Sequence, residues 1–171
     1  GGLGLLNKII LFKNDTINDY SINAHPINLN YKFEDKICYI IKDVIIWPFS
    51  GIALTRSGRP ILETAFSKDR LKKILERRWI YDGKIINKDG LCTVIDNSPW
   101  NHYYHWFIDI LPRIYILHSK QFRDKKITLI FSRELNDIEK SSLNAVMPEN
   151  VELFFAKHKS YQIQVDEYIS L

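Results

Sequence analysis

The sequence predicts an α/β protein in which a β-rich leader precedes a half-domain of alternating strands and helices. Three observations predict it. From residue 91 onward, short apolar runs (91–96, 126–131, 151–155) are separated by segments of helical length and spacing, the pattern of βαβ units around a parallel sheet. Before that point, apolar runs follow one another through turn signals, with one helix among them. The 171 residues are 46% hydrophobic and 26% charged, an ordinary globular balance large enough to bury a core without disulfide staples. The expected division is residues 1–92 for the leader and 93–171 for the α/β part.

Taken in order, residues 5–12 read as a strand or short helix, and the Asn- and Asp-rich stretch 13–30 as irregular. Residues 36–41 and 44–47 read as two strands, and 51–55 with 60–65 as a hairpin turning at Arg56-Ser57-Gly58-Arg59. Residues 67–79 place Leu71, Ile74 and Leu75 at helical spacing, with Ser67 as N-cap and Asp69 in the first turn. Tyr81-Asp82-Gly83-Lys84 reads as a turn and 91–96 as a strand. A helix then starts at Ser98-Pro99, with Ser98 capping and Pro99 in the first position, or near Asn101; Pro112 should kink it or end its first segment. Beyond it come a strand at 126–131, a helix over 133–147 capped by Ser132, and strands at 151–155, 161–165 and 167–171.

The net charge of +4, from 24 basic and 20 acidic residues, is a mild excess. Its densest cluster is Lys68, Arg70, Lys72, Lys73, Arg77 and Arg78 on the 67–79 helix. That cluster can face an anionic membrane or a phosphate-bearing ligand, or it is a solvated helix face. Aromatic residues are not interleaved with it, which argues against a nucleic-acid module. No apolar run has the length of a membrane span, and Asn7 and Lys8 interrupt 3–12, so that run is neither signal peptide nor anchor. Cys38 and Cys92 fall inside strand-like runs and read as small buried hydrophobes of a reducing compartment, with a bridge between neighbouring strands as the alternative. The chain starts at Gly1-Gly2 and stops at Leu171 directly after a strand-like run, which suggests a piece of a longer protein.

Chemistry concentrates in Asn101-His102-Tyr103-Tyr104-His105-Trp106-Phe107-Ile108-Asp109-Ile110-Leu111-Pro112-Arg113. On a helix His102, His105, Asp109 and Arg113 share a narrow polar arc, while Tyr104, Phe107, Ile108, Ile110, Leu111, Ile114 and Leu117 fill most of the remaining circumference. A helix apolar nearly all round is buried, so the arc should line a cleft. The plainer reading is an amphipathic helix with a solvated stripe, its i, i+4 pairs worth a few tenths of a kcal/mol. Topology favours the cleft, because ligands of such sheets bind outside the carboxyl ends of the strands, where this helix begins. His102, His105 and Asp109 have spacing compatible with zinc, but no fourth ligand is evident.

This stretch resembles the signature of glycosyltransferase family 61, close to Asn-Tyr-Tyr-His-Trp-Leu-x-Asp-x-Leu-Pro-Arg-Leu. His105, Trp106, Asp109, Leu111, Pro112 and Arg113 match in identity and spacing, with one extra residue between Asn101 and the Tyr-Tyr-His core. The resemblance, covering most of residues 36–171, implies a partial Rossmann-like lobe, the amino-terminal half of a GT-B-like enzyme. It implies an inverting, metal-independent transfer from a nucleotide sugar to a glycan acceptor, with no cofactor beyond that co-substrate. The donor-binding lobe is then missing, and this piece alone should have little or no activity. Family members build eukaryotic glycans and bacterial capsular polysaccharide or exopolysaccharide; richness in Ile, Lys and Asn fits an AT-rich bacterial gene, so the resemblance implies a cytoplasmic enzyme of bacterial polysaccharide biosynthesis, peripheral to the inner membrane through the 67–79 helix.

In that setting His105 is the base with Asp109 orienting it, or Asp109 is the base with His105 donating to substrate. Arg113 pairs with Asp109 or reaches a phosphate. Asn101, His102, Tyr104 and Trp106 are candidate substrate contacts, Trp106 and Tyr104 either stacking on a sugar or packing in the core. The competing functions are a non-catalytic glycan- or partner-binding module and a metal-assisted hydrolase.

Overall fold

The computed structural model describes residues 6–12, 36–65, 68–76, 84–95, 103–156 and 161–171. The β-branched and aromatic runs form its strands: β1 (Leu6–Phe12), β2 (Lys36–Trp47), β3 (Ile52–Thr55), β4 (Ile85–Val94), β5 (Ile127–Phe131), β6 (Val151–Phe155) and β7 (Gln162–Ser170). They make one mixed sheet in the order β1-β2-β7-β4-β5-β6, with β3 paired to β2. β7, β4, β5 and β6 run parallel, as the alternation of strand and helix predicts. β2 lies antiparallel to β7, and β1 and β3 lie antiparallel to β2. β4 itself crosses residues 92 and 93, and the leader's β2 pairs with the last strand, so both expected parts share one sheet.

The β4-to-β5 and β5-to-β6 connections pack on one face. Trp106, Ile110, Ile114 and Leu117 of the first, and Leu143 of the second, bury against Leu91, Ile127, Leu129 and Phe131. The opposite face carries Cys92, Val94, Ile130 and Tyr168, which share a cluster with Val44, Ile46, Ala53, Ile163 and Val165. A bend in the sheet covers this second face. Asp43 in β2 (φ 55°) and Gly90 in β4 (φ 82°) both adopt left-handed backbone, a conformation Asp and Gly tolerate best. The β4–β7 register shifts between Lys88 and Leu91, and the Gly90 N–H donates to Asp166 Oδ2 at 2.9 Å. Arg56 holds the Asp43 carboxylate, its Nε at 2.6 Å. Across Asp43 the side chains of β2 change face: Cys38 and Ile40 join the helix side, Val44 and Ile46 the other.

The contact between Lys88 and Phe154 measures the bend. In a flat sheet they would stand about 20 Å apart, two strands across and several residues along. The Lys88 ammonium instead lies 4.3 Å from the centre of the Phe154 ring. The connection 156–161 agrees: at about 3.6 Å per residue it could not carry the chain from the end of β6 to the start of β7 along a flat sheet. The half of the sheet beyond the bend therefore folds back over the other half. α1 (Lys68–Glu76) closes the folded-back end, with Leu71, Ile74 and Leu75 against Trp47, Ile52 and Leu54.

Several expectations change here. The strand pairs expected at 36–41 with 44–47, and at 161–165 with 167–171, are each a single strand; the polar residues Lys42, Asp43 and Asp166 interrupt their apolar pattern. Within the 5–12 run, Leu6–Phe12 is strand rather than helix, and β4 begins at Ile85 rather than 91. The second arm of the 51–65 hairpin reduces to a single bridge from Leu54 to Pro60 and a 3₁₀ turn, Leu62–Thr64, because Pro60 has no N–H and the Thr64 hydroxyl accepts the Ala53 N–H at 2.9 Å. The helix expected from Arg133 under a Ser132 cap starts instead at Asp137, as described below. Ser67, Arg77, Arg78, the 81–84 turn (apart from Lys84), Ser98 and Pro99 lie outside the described residues. The described exposed face of α1, Asp69, Lys72, Lys73 and Glu76, mixes both signs of charge. Among the described residues no helix is long and apolar enough to cross a membrane.

Cys38 and Cys92 are free and buried on opposite faces, and burial pushes both thiols up to about 11. An aromatic disulfide reagent at about pH 8 should therefore leave both unmodified in the folded protein and label both in denaturant, because only the exposed thiolate reacts.

Candidate functional site

The chain lays down β4, β5 and β6 in one direction and then returns to place β7 on the other side of β4. The carboxyl ends of β4 and β7 therefore meet where the strand order reverses, the position outside which α/β sheets bind ligands. A continuous helical run follows β4: α2 (Tyr103–His105), a π-helical segment Trp106–Ile110, and α3 (Leu111–Leu117). Pro112 explains the π segment. It lacks an N–H, and its ring would collide with the carbonyl four residues back. Widening the preceding turn, so that the Leu111 N–H reaches the Trp106 carbonyl, relieves that collision, and the helix continues with Pro112 in the first turn of α3.

The run is not buried all round, which corrects the expectation from its composition. Trp106, Ile110, Leu111, Ile114 and Leu117 face the core, whereas Tyr103, Tyr104, Ile108 and Tyr115 are exposed. These are four of the eight large exposed hydrophobic residues among those described.

His105 and Asp109 lie on this outer side and are joined through Nδ1 and Oδ2. The Tyr104 ring, 65% exposed, stands edge-on to the His105 ring at 5.6 Å. Arg113 is half-buried and reaches back to the end of β4, with Nη1 donating to the Ile95 carbonyl at 3.5 Å. Burial pulls the Arg113 pKa down, and the Asp109 charge opposes that shift. Tyr168, at the end of β7, is fully buried and donates to the Gly51 carbonyl at 2.8 Å; burial pushes its phenol far up.

Trp106 turns the other way. It is 2% exposed, its ring lies 6.4 Å from Phe131, and its indole donates to Ser142 Oγ at 2.8 Å. Ser142 belongs to α4 (Asp137–Val146) and gives no signal in the sequence, because its partner is far away along the chain. α4 begins with a capping box: the Glu139 N–H donates to Asn136 Oδ1 and the Asn136 N–H to Glu139 Oε2, both at 2.9 Å. Arg133 clasps the same carboxylate through Nη1 and Nη2 at 2.7 and 2.8 Å. Asn101 and His102 lie outside the described residues. Among the described residues no group of three or more His, Cys, Asp or Glu side chains is placed to hold a metal ion.

A carboxylate on Nδ1 orients an imidazole, fixes its proton on that nitrogen and stabilises the imidazolium; a further proton then goes to Nε2. The pair has the chemistry of a general base or acid. No family model, curated protein or solved structure matches the chain.

Proposed function

We propose that the chain is the acceptor-binding part of an inverting, metal-independent glycosyltransferase of bacterial polysaccharide biosynthesis. The observation that carries this reading is the bond between His105 Nδ1 and Asp109 Oδ2 on the helix that follows β4. The acceptor hydroxyl oxygen bonds to the anomeric carbon of a nucleotide sugar, and its proton passes to His105 Nε2. The bond from the anomeric carbon to the nucleoside diphosphate breaks, and the diphosphate leaves with the electron pair. Asp109 holds the ring and offsets the charge it gains. Arg113 of α3, whose guanidinium reaches the end of β4, is suited to a phosphate oxygen.

In this reading the unit from β4 to β6 is the core of a Rossmann-like lobe, and a donor-binding lobe completes a GT-B-like enzyme. The exposed Tyr104, Ile108 and Tyr115 around the His–Asp pair support a second lobe docking there. A cytoplasmic setting at the inner membrane follows from the resemblance. The exposed tyrosines also favour a second reading, a glycan-binding module without turnover.

The test is nucleoside diphosphate release by the full-length protein across a panel of nucleotide sugars, with His105→Ala and Asp109→Asn beside the parent and circular dichroism as the folding control. Release that collapses in both folded variants supports the transferase. Release that survives both overturns the base assignment. Glycan binding without release from any donor supports the module.

A further inference from the structure

Two hydrogen bonds of Trp106 tie the π segment into the fold. Its carbonyl accepts the Leu111 N–H and so closes the π turn. Its indole donates to Ser142 Oγ at 2.8 Å, and the Ser142 hydroxyl donates in turn to the α4 backbone, with the Ile138 carbonyl at 2.7 Å and that of Glu139 at 3.1 Å. A hydroxyl has one proton to give and lone pairs to receive, so the sequence from indole to hydroxyl to carbonyl has one direction and no gap. The indole is enclosed, and losing its acceptor would strand a buried donor. α4 is itself a firm base for this tie, held at its start by Asn136, Glu139 and Arg133.

The π segment needs such a tie. Pro112 withholds a donor from the turn before it, so backbone bonding alone holds this stretch less firmly than an unbroken α-helix. His105 directly precedes Trp106, and adjacent helical side chains diverge by about 100°. Fixing the indole on α4 therefore fixes His105 on the outer side of the helix. We infer that Ser142 is a positioning residue for the His105–Asp109 pair: through the Trp106 indole it sets the rotation of the π segment, and with it the direction of His105 Nε2. The kinetic consequence rests on the proposed role of His105 in proton transfer; the structural tie is read separately.

The experiment uses ¹⁵N-labelled protein, following the Trp106 indole and the His105 ring by NMR in the parent, Ser142→Ala and Ser142→Thr. In Ser142→Ala both signals should move and the His105 Nδ1 proton should broaden, while Ser142→Thr keeps the hydroxyl and restores both. With a donor that supports turnover, kcat should fall about tenfold in Ser142→Ala with KM for the acceptor within about twofold, the signature of a displaced base rather than lost binding. An indole signal that moves while the His105 ring stays as in the parent overturns the inference. If no donor supports turnover, the transferase reading fails and the NMR result still decides the tie. Should Ser142→Ala not fold, Trp106→Phe removes the same hydrogen bond from the other side and is judged by the same His105 signals.

Discussion

On the proposed transferase reading, His105→Ala in the full-length protein should lower nucleoside diphosphate release by about 10³-fold, within the range for removing a general base. Asp109→Asn should cost less, about 10²-fold, because the pair is partly exposed and water can replace part of what the carboxylate does. Both losses should fall on kcat, since neither residue gains its full interaction until the acceptor proton moves. Initial rates of release at saturating donor and acceptor measure this. A loss confined to KM in either variant would assign the residue to binding.

Arg133→Ala should lower the unfolding free energy by about 3 kcal/mol, the cost of leaving a largely buried carboxylate without its cation. The Glu139 side chain is only 10% exposed and Arg133 24%. Burial pushes the Glu139 carboxyl up, but the Arg133 hydrogen bonds, the Asn136 N–H and the Arg133 charge together outweigh it and hold the group below its ordinary value. The folded value is thus lower than the unfolded one. This contribution is present above the unfolded value and is lost as pH falls through the folded one. The variant should melt about 9 °C lower near neutrality, with the difference narrowing in acid. Thermal melts of both proteins at neutral pH and in the acid range below 4.5 check the size and the sign.

What the sequence displayed and what it hid divide by distance along the chain. β5 and β6 are short apolar runs between polar segments, and their parallel pairing follows from the helix between them. The His105–Asp109 contact was legible because it spans one turn of one helix. The bond from Trp106 to Ser142 and that from Arg113 to Ile95 depend on how separate elements dock, which no local spacing encodes. The bend misled for a different reason. Lys42, Asp43 and Asp166 read as strand ends, because a polar residue inside an apolar run resembles a turn until the paired strand shows the same break. Composition likewise placed Tyr104 and Ile108 in the core, since an apolar count cannot tell a face that meets the sheet from one left on the outside.

The strand synthesised last among those described, β7, lies in the middle of the sheet, between β2 and β4. Residues 39 and 170 are partners across it. Until it emerges from the ribosome, β1, β2 and β3 have no strand pairing with β4, β5 and β6 among the described residues, and both groups present bare edges. Pairings this distant in sequence close slowly. The described sheet should thus close late, when β7 becomes available, and a nascent chain halted before residue 162 should be the aggregation-prone species that chaperones retain.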